Sequence, residues 1–595
     1  MIISYGGEKM KWNLDNLYPS VEAWEQDLKW LEGVIAEVSS FQGKLHDFET
    51  FRTYYLNQRE VTVKVYRLYQ YAALKSDLNR KNVEHAGRVQ KIGYLLNQLQ
   101  QATAFDAPEI ISLGKETVMG FLEKDTRLQE YRFPLEKLFH QQAHVLDEKS
   151  ETLLANYRQL ASQGAATYNA LAVADNTPKD VTLKDGSTLT ITQGNFRSYL
   201  ADLPDPDDRE TVFKAIFSHY EIHKHSYAQI YNTVLQADLA KMRSRNYQST
   251  LDSFLFGNNI DPAVFHNLID TAKQSTDLLK RYYALRMKAL GLKEHRTFDR
   301  FMPLAKSKSK FTYDEAVQLF MDSIAHLDKR FQDKAVDALK EGYVDVYEQD
   351  GKQTGAYSWG ALDEHPYILL NYDDTLNSVF TLAHEAGHAM HSLFAAEKQP
   401  IATQSYTIFV AEIASTFNEH VLLDYFINNN MGTREDKIML LQQSIDDIAA
   451  TFYRQTLFAA YELEAHKLAE TGQPITHEAL SNIMIALYKE FYDLDITQEP
   501  GKAYVWAYIP HLFNTPYYVY QYATSFAASL TLFEQVKADP SNIENHMRLL
   551  ESGGDAFPVE QVHRAGIDLT DPHAFKAVVT RLSDLLDALE LELDA

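Results

Sequence analysis

Cysteine is absent from the chain, and that absence removes disulfides, thiolate metal sites, iron–sulfur clusters and thiol nucleophiles together. Any metal held here must be ligated by His, Asp or Glu, and the composition agrees with a reducing, cytoplasmic setting. Glycine and proline are sparse, at 24 and 17 in 595 residues, which favours long helices over a many-turned β protein. Positive charge is in deficit as well. With 57 Lys and Arg against 82 Asp and Glu, the net charge is −25, which argues against nucleic acid as a partner because phosphate binding needs a basic surface. No run approaches the ~18 apolar residues of a membrane span. Met1 to Glu8 lacks the basic-then-apolar pattern of a secretory leader. A soluble, acidic, mostly helical protein with no membrane partner is expected.

What is present is an ordinary globular balance of 45% hydrophobic and 23% charged residues, with an excess of tyrosine, 36 in all. Helical periodicity dominates. After Pro19-Ser20, Trp24, Leu28, Leu31 and Ile35 recur at helical spacing and mark one apolar face. Thr312 with Glu315 predicts a capping box, and a long periodic run over 434–470 ends before Gly472 and Pro474. Two stretches read as β: a hairpin over 181–192 turning at Asp185-Gly186, and Pro366 to Tyr372, where the leading proline predicts an edge strand. Composition breaks fall at Asp106-Ala107-Pro108, Pro204 to Asp207 and Lys306 to Lys310. They suggest an N-terminal helical region over 1–205 and a catalytic region over 206–595.

The chemistry concentrates in His384-Glu385-Ala386-Gly387-His388. Residues four apart on a helix share a face, about 6 Å along the axis, so both imidazoles can meet one zinc ion with Glu385 beside a metal-bound water. Zinc lowers the pKa of such a water to roughly 7, and a carboxylate can then accept its proton. A third ligand is required, and His391, Glu397, Glu412, Glu419 and His420 all follow. His391 lies about 10.5 Å along an unbroken helix from His384, too far for good geometry. It is expected beside the ligands rather than on the metal. Glu412 sits in a second helical pattern, Phe409 to Phe417, and completes a His, His, Glu set for one Zn2+ per chain. Ligand type favours zinc over other divalent metals. Near the C-terminus, His511 and the phenols of Tyr517, Tyr518, Tyr520 and Tyr522 supply hydrogen-bond donors for a developing oxyanion. The segment 366–372, read as an edge strand, would pair with an extended peptide through Ile368, Leu369 and Leu370.

His384-Glu385-x-Gly387-His388-x-x-His391, Phe409-Val410-x-Glu412 and the terminal His-and-tyrosine stretch resemble the thimet-oligopeptidase-like zinc metallopeptidases, most closely their bacterial oligoendopeptidase F branch. Trp12 to Ser20, Gly355-Ala356-Tyr357-Ser358, Phe452 to Ala459 and Ser552-Gly553-Gly554 extend the likeness over nearly the whole chain. The resemblance implies a two-lobed helical ellipsoid with a deep channel and a small β-sheet beside the HExxH helix. It also implies endopeptidase action on short, unstructured oligopeptides. His384 and His388 match the zinc-binding histidines, Glu385 the general base, Glu412 the carboxylate ligand and His511 the histidine that contacts the tetrahedral intermediate. Tyr520 matches a tyrosine of the oxyanion-stabilising group in ungapped register, with Tyr517 next to be considered; Gly355 and Ala356 join the substrate-binding stretch. Pro516 and Ala523 stand where the thimet branch carries its two tyrosines. A carboxy-terminal exopeptidase using the same zinc set and a peptide-binding scaffold are the rival functions. The oligomeric state is not encoded in any of these motifs.

Overall fold

The computed structural model describes residues 10–594 apart from 361, 363 and 500. The leader reading on Met1 to Glu8 therefore lies outside the described residues, as does Ala595 at the end of the acidic tail. Helices dominate, and among the described residues the strands form two small sheets. No described helix is long and apolar enough to cross a membrane.

Local chemistry explains the elements. Ser20 accepts a hydrogen bond from the Ala23 N–H and opens the helix Val21–Val38, which buries Trp24, Leu28 and Leu31 on one face. Thr312 and Glu315 form the expected capping box of the helix Tyr313–Ser323. The periodic run over 434–470 consists of two helices, Arg434–Asp447 and Arg454–Glu470, joined by a π-helical turn Ile448–Tyr453. Gly472, at φ +69°, stops it. Lys179–Thr182 (β1) and Thr188–Ile191 (β2) make the antiparallel hairpin, with Gly186 at φ +85° in its turn. Pro206 occupies the first turn of the helix Pro206–Ile222, and Asp205 caps it.

The chain forms two compact units. The first comprises Met1–Ala143, Ser309–Asn430 and Ser529–Ile567; the second comprises His144–Lys308, Met431–Ala528 and Asp568–Ala595. Each draws on three separated stretches, whereas composition alone suggests a single division at 205–206. One passage between units falls inside the Lys-Ser alternation at 308–309.

In the first unit, Trp12, Trp24, Leu68 and Tyr71 share a core with Tyr367 and Leu369. Those last two belong to a three-stranded sheet of Val344–Tyr347 (β3), Tyr357–Trp359 (β4) and Tyr367–Tyr372 (β5), in the order β3-β5-β4. The edge assignment of 366–372 is thereby corrected. β5 pairs in parallel with β3 on one side and antiparallel with β4 on the other. Pro366 precedes the ladder, so its missing N–H costs no bond. The Ile368 N–H donates to the Tyr343 carbonyl at 2.8 Å, and its own carbonyl accepts from the Trp12 indole at 2.8 Å. Ile368, Leu369 and Leu370 are buried core residues with no backbone edge to offer a peptide.

Much of the tyrosine excess is packing with a satisfied hydroxyl. In the first unit the Tyr54 and Tyr55 hydroxyls both donate to Asp106. In the second, Tyr168 stacks on Phe513 at 4.0 Å, and the Tyr282 hydroxyl donates to Asp446 at 2.7 Å.

Candidate active site

Two helices of the first unit build the site. The motif helix Leu376–Lys398 opens with Thr375, whose side chain accepts from the Ser378 N–H. It crosses the helix Ile408–Asn428 at Gly387. A Cβ on Gly387 would lie 2.6 Å from the Ala414 carbonyl oxygen and 2.6 Å from the Ser415 Cα, so only glycine lets the backbones approach this closely. Asn418 ties the crossing by donating to the Ala383 carbonyl at 3.1 Å.

At this crossing His384, His388 and Glu412 converge, with one ligand atom from each lying within 4.8 Å of the others. The Nε2 atoms of both histidines are 3.6 Å from Glu412 Oε2. Ser415 donates to the same carboxylate oxygen at 3.0 Å. Glu419, a possible third ligand on sequence grounds, instead accepts from His384 Nδ1 at 2.5 Å. It stands seven residues after Glu412, two turns along the same helix face, which is the signal that places it there. That bond fixes the tautomer of His384 and directs its Nε2 toward Glu412.

Glu385 is buried beside this set. Burial, reinforced by the charges of Glu412 and Glu419, raises its pKa to about 7 against the lowering pull of His384 and a hydrogen bond from the Ser358 N–H. Its Oε2 has no partner among the described residues. Burial and the neighbouring His384 charge lower His388 to about 4, leaving it neutral as a ligand must be. His384 goes the other way. Burial pulls it down, but the Glu419 hydrogen bond and the charges of Glu419, Glu385 and Glu412 outweigh that and raise it to about 9. His384, His388 and Glu412 could hold a metal ion, and an N, N, O donor set with the unpartnered Glu385 oxygen beside it fits zinc.

The remaining expected residues fall elsewhere. His391 is fully buried and stacks on Tyr406 at 3.5 Å, and neither ring nitrogen has a hydrogen-bond partner among the described residues. Tyr406 in turn reaches the His388 carbonyl at 3.5 Å. Glu397 pairs with Lys334 at 2.8 Å, and His420 packs near Phe533. Gly355, at φ +82°, and half-buried Ala356 lead into β4, one of the two edge strands of the sheet.

In the second unit, His511 opens the short helix His511–Asn514 and is half-buried, and burial lowers its pKa. Its ring neighbours are Tyr518 at 6.1 Å and Tyr522 at 6.2 Å, both also partly exposed. Tyr517 and Tyr520, the phenols favoured from sequence, are buried. Tyr517 adopts φ +53°, gives its N–H to Glu462 and shares a hydroxyl contact with Thr250 at 3.3 Å. Tyr520 packs against Phe265. The structure thus groups His511 with Tyr518 and Tyr522 instead.

A family model for peptidase family M3 matches residues 199–580, and one for oligopeptidase F matches residues 109–177. The chain belongs to peptidase family M3. Oligopeptidase PepF of Bacillus subtilis is 33% identical over 586 residues, covering 97% of this chain and 86% of its own length. Group B oligopeptidase PepB of Streptococcus agalactiae is 32% identical over 584 residues and 97% of both chains. Among solved structures, oligoendopeptidase-F from Enterococcus faecium superposes with a TM-score of 0.74 at 25% identity, covering 96% of this chain and 99% of that one. This M3 protein is a peptidase, and the M3 match takes in both the histidine–glutamate cluster and the His511 segment.

Proposed function

We propose that this M3 peptidase is a zinc-dependent endopeptidase that hydrolyses internal bonds of short, unstructured oligopeptides, in the cytoplasmic setting that a cysteine-free composition suits. The convergence of His384, His388 and Glu412, with the Glu385 carboxylate buried beside them, carries this reading. Those three residues would hold the metal. When bound, zinc supplies Lewis acidity toward water and toward a scissile carbonyl.

Glu385 accepts a proton from the attacking water and returns it to the leaving amine. A carboxylate brought to about 7 by burial can do both near neutrality. The Ser358 N–H holds the carboxylate in place, and Glu419 keeps His384 aligned. The outer edge of β4, rather than β5, offers main-chain hydrogen bonds to an extended peptide without regard to its sequence. His511 is the donor that the family register suggests for the oxyanion, and within the second unit its ring neighbours are Tyr518 and Tyr522.

Glu385→Gln removes the proton acceptor and leaves the ligands. A loss of kcat of at least about 10²-fold on a quenched oligopeptide is expected, with zinc stoichiometry unchanged by metal analysis. Near wild-type kcat in this variant sinks the mechanism. Mass-spectrometric mapping on peptides blocked at both ends separates endopeptidase from exopeptidase action: internal cuts are expected, and failure to cut any blocked peptide refutes the endopeptidase assignment.

A further inference from the structure

The second unit encloses a cavity of about 280 Å³ whose wall carries four cationic side chains, Arg197, Arg300, Arg454 and Lys502. The same four border a smaller adjoining cavity beside Tyr508. In a chain of net charge −25, gathering cations in one partly desolvated place needs a compensating reason. Among the described residues none of the four is ion-paired. Their neighbours are aromatic: Arg300 lies 4.6 Å from the Phe301 ring, Arg454 5.3 Å from Phe458 and Lys502 5.0 Å from Tyr488, while Arg197 donates to the Tyr508 hydroxyl at 3.2 Å. Ring faces stabilise a cation but leave its charge in place.

Two carboxylates also line the cavity, Asp446 and Asp447. Asp446 already accepts from the Tyr282 hydroxyl at 2.7 Å and from Gln442 at 3.1 Å. The surplus positive field registers on Tyr488. Burial drives that phenol's pKa up, yet Lys502, Arg454 and Arg300 outweigh it and hold it below its ordinary value. The buried phenols beside it, Tyr283 and Tyr492, are pushed up. His295, stacked on Tyr283 at 4.4 Å, also lines the wall with neither ring nitrogen bonded.

The backbone makes room for an occupant. Arg454 follows the π-helical turn Ile448–Tyr453, and Ala449 and Ala450 of that turn present small side chains to the cavity. Turns of this kind interrupt helices frequently at functional sites. Phe452 to Ala459, a segment that resembles the family, has no part in the proposed hydrolytic chemistry, and Arg454 sits within it.

We propose that this cavity is a binding site for a small dianionic compound, a phosphate monoester or a dicarboxylate with a short aromatic or apolar body. Four cations less two carboxylates leave a surplus of two charges, which a dianion neutralises. Guanidinium groups suit bidentate oxyanion binding, and the phenol-lined wall suits the apolar body. The volume falls just below the range of drug-sized ligand pockets, roughly 300–1,000 Å³, and suits a small compound.

Calorimetric titration of the full-length, zinc-loaded protein at fixed ionic strength tests this with phenyl phosphate, phthalate and uncharged benzamide. At least one dianion is expected to bind with a Kd at or below about 1 mM, and benzamide not at all. Which dianion binds tells phosphate from carboxylate recognition. Arg454 follows directly on the π-helical turn and its replacement can disturb the helix, so the exposed Arg197→Gln and half-buried Arg300→Gln carry the test. Each is expected to weaken binding by about 10-fold or more with an unchanged melting profile. No binding of either dianion at about 10 mM, or undiminished binding in both variants, overturns the proposal.

Discussion

Replacing Gly387 by alanine tests whether the helix crossing builds the metal site. The added Cβ would stand 2.6 Å from the Ala414 carbonyl oxygen and the Ser415 Cα, and 2.9 Å from the Ala414 carbonyl carbon. All three are backbone atoms, so no side chain can swing aside. Carbon contacts settle near 3.5–4.0 Å, and the helix Ile408–Asn428 must retreat by roughly 1 Å. Overpacking of this kind costs about 1–3 kcal/mol, while alanine in a helix interior returns about 0.5–1 kcal/mol. The net loss of stability is on the order of 1–2 kcal/mol. The larger effect falls on metal binding. Glu412 lies one turn before Ser415, and the retreat carries its Oε2 away from the two Nε2 atoms now 3.6 Å distant. Misalignment of metal ligands typically costs about 10–100-fold in affinity. Competition against a chromogenic zinc chelator measures that loss, and urea unfolding of the metal-free protein measures the stability term. Wild-type zinc affinity together with wild-type metal-free stability in Gly387→Ala would refute the reasoning.

Three further outcomes follow from the same geometry. Glu419→Ala removes the acceptor on His384 Nδ1 and is expected to weaken zinc binding by about 10–100-fold in the same competition assay, with the fold intact by circular dichroism. Glu412→Ala should abolish stoichiometric zinc, whereas His391→Phe, which preserves the stack on Tyr406, should retain it; metal analysis of both variants decides between ligand and packing roles. His546 is buried against Phe417 with neither ring nitrogen bonded among the described residues, and burial lowers its pKa to about 3. The unfolded chain therefore takes up a proton that the folded chain refuses. This contribution to stability is full above pH 6.5 and is lost at about 1.4 kcal/mol per unit as pH falls from there toward 3. His546→Phe should lose roughly 2 kcal/mol less stability than wild type between pH 6.5 and 5, read from urea unfolding of the metal-free protein; equal losses contradict the assignment.

What the sequence disclosed, and what it hid, divides along the range of the interactions. Helix phases, the Thr312 capping box and the hairpin over 179–191 rest on neighbours within a few residues, and spacing reports those directly. His384, Glu385 and His388 were legible for the same reason. Glu412 and Glu419 were visible as carboxylates on a second helix, but their division of labour depends on where that helix crosses. Gly387 sets the crossing, and a glycine in a helix gives no hint of the backbone it will meet. Pro366 misled because a proline just before a strand suits an edge strand and a central one equally. The surroundings of Tyr517 were not legible, because it takes a left-handed backbone and its ring lies among Phe254, Phe265 and His466. No periodicity announces such a reversal in a non-glycine residue.

Correcting the edge from β5 to β4 makes the site more coherent. In an antiparallel pair, backbone groups point alternately toward the partner strand and away from it. The Ser358 N–H goes to Glu385 rather than to β5, so Ser358 is a residue whose backbone faces outward from β4. The N–H that steadies the proton acceptor therefore belongs to the same three-residue strand that the proposed peptide would follow, and on that strand it is the Ser358 carbonyl, not its N–H, that is left to face a peptide. Gly360, just beyond it, keeps the strand against the motif helix, because a Cβ there would come within 2.5 Å of the Ser392 hydroxyl. The Tyr66 hydroxyl donates to the Gly360 carbonyl at 2.5 Å and braces the strand's end. β5, buried and paired on both sides, is what makes so short a strand rigid. A peptide aligned along β4 would thus be registered against Glu385 by backbone contacts alone, which is how the proposed activity can be indifferent to side chains while remaining strict about where the carbonyl lies.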